Sequence, residues 1–260
     1  MPIRDVRTYF VDSDEPQVKT FVFCRVEADE GTVGWGEAYA IRHRERGIVE
    51  FIKGLGQMLC SLDDPSPETY QRNVSGWYDK GHQSIDFSSA CGAIEVALWD
   101  IAGKQAGKPV CELLGPVPTR TIPLYANLEQ LTPDESVSEL VERCLAVKDM
   151  GFNALKIYPM DYGPLDIATE CVRSVRQAIG DDADLLLDIW ALDTTQEALA
   201  AAEAFAEFQP FWFEEPIAGE RISEMATIRR KIDMPVVTGE RQVGIDHFRT
   251  VLDLEAADIL

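Results

Sequence analysis

The amino-acid sequence predicts an α/β protein: an α+β unit over residues 1–118, then a (β/α) barrel of the TIM type over residues 119–260, represented by its first six strands. Three observations carry this expectation. Strand and helix patterns are segregated in the first stretch, whereas after Pro118 short apolar strands alternate with amphipathic helices. Those later strands are apolar on both sides, as parallel strands covered by helices are. A chain of 260 residues, 46% hydrophobic and without a low-complexity tract, can also bury a sizeable core.

The elements follow in order. TFVFCRVEA (20–28) is rich in β-formers, EGT turns the chain, and VGWGEAY (33–39) returns as a second strand of a hairpin or meander. Helical spacing follows at 44–60 and at 88–106, where Ser88 and Ser89 offer N-caps and Gly107 and Pro109 a stop. Beyond Pro118 the strands TIPLYANL, FNALKIY, DLLLDIW, FWFEEP and MPVVTGE are followed by helices at 133–150, 164–179, 194–208, 219–231 and 244–255, and ADIL begins a sixth strand. A complete barrel takes about 250 residues, and little more than half that number follows Pro118. An open barrel leaves strand edges facing water, so the sequence is expected to belong to a longer protein, with a shortened gene product as the alternative.

Twenty-four basic against 45 acidic residues give a formal charge of −21. Such a surface repels nucleic acid and anionic membranes. No apolar run approaches the roughly 18 residues of a membrane span, and the N-terminus lacks an export signal. The six cysteines are scattered without CxxC spacing and read as thiols of a reducing cytoplasm. Only three histidines (His43, His82, His247) are present, none paired at ligand spacing, so a bound metal would be held by oxygen, favouring Mg²⁺ over Zn²⁺.

Asp188, Glu214 and Glu240 each end a predicted barrel strand, one every 26 residues. One βα repeat per carboxylate brings the three together at the C-terminal end of the barrel, where active sites of this architecture lie. Three carboxylates that close repel one another unless a cation stands between them. Of Glu214 and Glu215, alternation lets only one face that cation, and the register selects Glu214. Period two also puts Lys156 and Tyr158 on one side of the second strand. Lys156 then lies one strand from Asp188, next to a carboxylate substrate, while Tyr158 is a candidate hydrogen-bond donor, acid or base, with a packed aromatic as the alternative.

Together these features resemble the enolase superfamily, and within it the mandelate racemase-like branch with its acid-sugar dehydratases. VGWGEAY and CGAIEVALWDIAGKQAGKPVCELLG are similar to the strand and long helix of that family's capping domain, and D188-x-W, F-E214-E-P and T-G-E240 to its metal-ligand positions. The resemblance implies Mg²⁺-dependent removal of the proton alpha to a carboxylate. For a dehydratase, loss of the 3-hydroxyl follows, giving a 2-keto-3-deoxy acid. It further implies a homo-oligomer with a sugar-acid substrate. The second lysine of the K-x-K found in many relatives is here Tyr158, which weighs against racemases, epimerases and lysine-based cycloisomerases; a racemase or cycloisomerase of a carboxylic acid is the alternative among enzymes. Trp190 stands where some dehydratases carry a histidine. The His–Asp pair of the later strands would lie beyond Leu260, so the chain shows metal ligands and Lys156 without a base. A non-catalytic metal-binding relative is therefore the alternative from another class. Candidate substrate contacts are Trp190, Arg241 and, in AIRHRER (40–46), Arg44 with Arg42 and Arg46 beside it. The loop DSDEPQ (12–17) is a second candidate segment.

Overall fold

The computed structural model describes residues 2–11, 20–78, 84–116 and 121–260. The DSDEPQ loop and Pro118 lie outside the described residues. The chain divides into two compact units, Met1–Thr121 and Ile122–Leu260.

The first unit is an antiparallel meander, β1 (Ile3–Val11), β2 (Phe21–Ala28) and β3 (Val33–Ala38), followed by helices α1 (Glu45–Cys60), α2 (Pro67–Tyr78), α3 (Ile85–Ala106) and the short α4 (Val110–Leu114). Alternation in β2 buries Val22, Cys24 and Val26 in the core with Ile48, Ile52, Ile94 and Leu98. Two elements escaped the sequence pattern. β1 buries only Ile3 and is held by its pairing to β2. α2 is mostly polar and anchored by buried Tyr70 and Val74, four residues apart. The long helix also starts earlier than expected. Ser84 is its N-cap, accepting a hydrogen bond from the Phe87 amide, while Ser88 and Ser89 lie inside the first turn. Gly107 ends it at φ 62°, in the left-handed conformation that favours glycine.

The two glycines of VGWGEA have a packing cause. A Cβ at Gly34 or Gly36 would lie 2.0 Å from the carbonyl oxygen of Ala97 or Ala93 respectively, so β3 approaches the α3 backbone directly. Those carbonyls belong to a helix and cannot swing aside. Gly36→Ala is expected to cost about 3 kcal/mol in urea unfolding. Gly47→Ala in α1, where an added Cβ meets nothing within 4 Å, should be neutral or mildly stabilising. Equal effects of the two substitutions would refute the packing argument.

The second unit alternates β4 (Ala126–Leu128), α5 (Val137–Asp149), β5 (Ala154–Ile157), α6 (Leu165–Ile179), β6 (Asp184–Asp188), α7 (Thr195–Ala206), β7 (Trp212–Glu214), α8 (Ile222–Arg229), β8 (Val236–Val237) and α9 (Ile245–Asp253). The five strands form one parallel sheet in chain order, the winding of a TIM-type barrel. Capping boxes start two of the helices, Ser136 with Glu139 for α5 and Thr194 with Glu197 for α7. Leu155, Ile157, Leu185, Leu187 and Phe213 share a core with Leu140, Val172 and Phe205 of the helices. Alternation therefore leaves Lys156, Leu186, Asp188 and Glu214 for the opposite, inner face. The expected sixth strand is a single parallel bridge, Ile259 to Val237. Asp258 supports it, its carboxylate accepting the Val236 amide at 2.9 Å and pairing with Arg229 at 2.8 Å. None of the six cysteines, all among the described residues, forms a disulfide, and four of them are buried. Among the described residues no helix is long and apolar enough to cross a membrane.

Candidate metal centre and active site

Register builds the site. Asp188 and Glu214 are direct partners across β6 and β7, and Asn127 is paired with Lys156 across β4 and β5. Lys156 Nζ reaches over to sit 3.1 Å from Asp188 Oδ2 and 2.9 Å from Glu214 Oε1. The lysine is only 5% exposed and Asp188 2%, so this is a buried ion triplet. Asp188 Oδ1 also accepts the Trp190 amide at 3.2 Å. Glu214 Oε2 is buried and accepts no hydrogen bond.

The electrostatics follow from burial. Burial pushes the Asp188 carboxyl above its ordinary range, Lys156 offsets part of the shift, and Glu240 adds to it. Glu214 is raised in the same way, by burial first and then by its acidic neighbours, against the pull of Lys156. For Lys156 burial opposes the charge, but the hydrogen bond to Glu214 and the charge of Asp188 outweigh it and hold the ammonium firmly protonated.

Glu240 follows β8 across Thr238 and Gly239. Its side chain is 46% exposed and accepts Arg241 Nε at 3.2 Å. As the side chains stand, no three metal-ligating groups among the described residues are gathered closely enough to hold an ion; Lys156 supplies the positive charge beside Asp188 and Glu214, and Arg241 that beside Glu240. The residues nonetheless fit a hard divalent cation. The donors are all carboxylate oxygens, Glu214 Oε2 is buried without a partner, and Glu240 acts on both other carboxylates. For Glu240 to join Asp188 and Glu214 around such an ion, its side chain would have to turn inward.

Tyr158 packs its ring 5.5 Å from Lys156 Nζ and donates its hydroxyl proton to Asn127 Oδ1 at 3.0 Å. Burial and then Asp188 raise its pKa, which suits a donor and disfavours a tyrosinate base. Tyr125 flanks the lysine from another side, its ring centre 5.6 Å from Nζ. Asn127 and Tyr125 were missed in the sequence; the signal available was the end of β4, where a polar side chain interrupts an apolar strand. Trp190, 60% exposed and at φ 52°, stands 6.0 Å from the Arg241 guanidinium. Arg44 is held by Asp86 within the first unit. His247 is exposed on α9 and His43 exposed before α1, so neither joins the carboxylates; His82 lies outside the described residues.

Glu215 turns the other way. It is fully buried at φ 45°, and its Oε1 accepts Thr238 Oγ1 at 2.7 Å and the Gly239 amide at 3.2 Å. Burial raises its pKa, and the Thr238 and Gly239 hydrogen bonds and Arg241 oppose that shift.

Comparison with known proteins agrees with this architecture. Residues 11–115 match the mandelate racemase / muconate lactonizing enzyme N-terminal domain, and residues 139–260 the enolase C-terminal domain-like family. A D-galactarolactone cycloisomerase of Agrobacterium fabrum is 30% identical over 250 residues, 93% of this chain and 63% of the relative. A D-gluconate/D-galactonate dehydratase of Picrophilus torridus is 25% identical over 96% of this chain and 65% of its own length. The chain thus spans somewhat less than two thirds of the curated relatives it matches. Among solved structures, an enolase from environmental sequencing of the Sargasso Sea superposes with a TM-score of 0.92 at 33% identity, covering 99% of this chain and 69% of that one. A 3,6-anhydro-D-galactonate cycloisomerase from Zobellia galactanivorans does so with a TM-score of 0.88 at 26% identity, covering 99% of this chain and 71% of that one. On both halves of its sequence and on its fold, the chain belongs to the mandelate racemase/muconate lactonizing enzyme family of the enolase superfamily.

Proposed function

We propose that the chain carries the Mg²⁺ site and the electrostatic lysine of an enzyme that removes the proton alpha to the carboxylate of a sugar acid. Dehydration to a 2-keto-3-deoxy acid is the reaction this favours. The observation that carries the reading is the buried Asp188–Lys156–Glu214 triplet on the inner face of the barrel sheet. Members of the superfamily typically use Mg²⁺, and Asp188, Glu214 and Glu240 would hold it. When bound, the cation would supply positive charge against the substrate carboxylate, while a base that is not among these residues takes the alpha proton.

The chain's own residues then take distinct parts. A lysine held protonated cannot accept the proton, so Lys156 acts by its charge, donating to the substrate carboxylate. Tyr158, fixed by Asn127, orients the lysine through its ring face. Arg241 and Trp190 present a cation and an apolar surface to the hydroxylated part of the substrate. The sugar-acid class is supported by relatives named for galactonate and gluconate. A cycloisomerase reading of the same proton abstraction is supported by relatives bearing that name.

The test is a panel of aldonates and aldarates, D-galactonate and D-gluconate included, incubated with the full-length protein and Mg²⁺ in deuterated water. Keto-acid formation is the expected result. Deuterium uptake at C2 without keto acid selects the cycloisomerase or racemase reading. Neither signal on any substrate sinks proton abstraction and leaves a non-catalytic metal-binding relative.

A further inference from the structure

One buried carboxylate has no part in the proton chemistry. Glu215 spends Oε1 on the Thr238 hydroxyl and the Gly239 amide, the two residues immediately before Glu240. Its Oε2 is equally buried and has no hydrogen-bond partner. The cation facing it is Arg241, whose Nε lies 3.9 Å away. That same Nε donates to Glu240 at 3.2 Å. Gly219 leaves the intervening space open, since a Cβ there would come within 3.0 Å of Arg241 Cβ and 3.8 Å of Glu215 Oε2. Arg241 therefore stands between two carboxylates, one already bonded and exposed, the other fully buried and short of a donor.

We propose that Glu215 is a positioning residue for Glu240: it pins the Thr238–Gly239 turn and takes over Arg241 when Glu240 swings to the cation. The inference rests on the reading of Glu240 as a Mg²⁺ ligand. Without Glu215 as an alternative acceptor, Arg241 would compete with Mg²⁺ for Glu240, and its release would leave the guanidinium without a carboxylate partner. With Glu215 as acceptor, one charge-assisted hydrogen bond replaces another, and Arg241 keeps its place beside Trp190.

Calorimetric titration of the full chain with Mg²⁺ tests this in wild type, Glu215→Gln, Arg241→Met and the double variant. Glutamine keeps an acceptor for Thr238 and Gly239 but removes the charge offered to Arg241. Glu215→Gln is expected to weaken Mg²⁺ binding about tenfold. Arg241→Met should bind at least as tightly as wild type, and in that background the glutamine should change affinity less than about twofold. Unchanged affinity in Glu215→Gln overturns the proposal. So does the same loss with and without Arg241, the result a purely structural role would give. Should Glu215→Gln fail to fold, Arg241→Met alone decides, because weaker binding in that variant contradicts competition. No binding by wild type would instead bring down the metal reading itself, and this inference with it.

Discussion

Lys156→Met is expected to destabilise the metal-free protein by about 3–5 kcal/mol, the range for removing one member of a buried ion pair. Lys156 is the only cation bonded to Asp188 and Glu214 among the described residues. Methionine matches its length but leaves two buried carboxylates side by side, both already raised by burial. Saturating Mg²⁺ should recover much of the loss, because an ion bound only by the folded state stabilises it, by about 2.7 kcal/mol at a hundred times its Kd. The same substitution should tighten Mg²⁺ binding, since a competing positive charge is gone, while abolishing turnover. Urea unfolding in EDTA and in Mg²⁺ separates these effects. An equal loss in both buffers would show that Lys156 is a packing residue and that the carboxylates bind no ion.

The second large effect belongs to the carboxylates. Asp188→Asn, Glu214→Gln and Glu240→Gln should each weaken Mg²⁺ about a hundredfold, because affinity for a hard divalent ion follows the number of charged oxygens. Their effects on stability should differ. Glu240 is half exposed and, among the described residues, bonds only its neighbour Arg241, so its variant should stay within about 0.5 kcal/mol of wild type. Asp188 and Glu214 are buried with folded-state pKa values above the ordinary carboxylate range. Such a group contributes most below its unfolded pKa, and the contribution is lost as pH rises through the folded pKa. Neutral isosteres at these two positions should therefore flatten the decline of metal-free stability above that range. A Glu240→Gln variant that retains wild-type Mg²⁺ affinity would remove Glu240 from the ligand set.

Local patterns made much of this legible. Alternation and helical periodicity disclosed the strands and helices of the second unit, since the strands are largely apolar and helices such as α6 and α9 are strongly amphipathic on their own account. They failed at β1, where Ile3 is the one buried residue, and at α2, whose sequence is mostly polar; neighbours supply the structure of both. They also misplaced the N-cap of α3, because Ser84, Ser88 and Ser89 are all suitable caps until one amide has to be capped.

Periodicity along the chain was enough to show which side chains share a face: period two placed Lys156 with Tyr158, and the 26-residue repeat placed Asp188 and Glu214 at the ends of β6 and β7, whereas Glu240 lies three residues beyond the end of β8. The tertiary structure alone decided how their charges pair. Only strand register across 58 positions of sequence puts Lys156 against Glu214, and only burial turns that contact into a constraint. Likewise, that Glu215 turns away to hold the Thr238–Gly239 segment depends on a left-handed backbone and a neighbouring strand. Periodicity is a property of adjacent residues, whereas desolvation and ion pairing depend on what the folded chain brings from elsewhere.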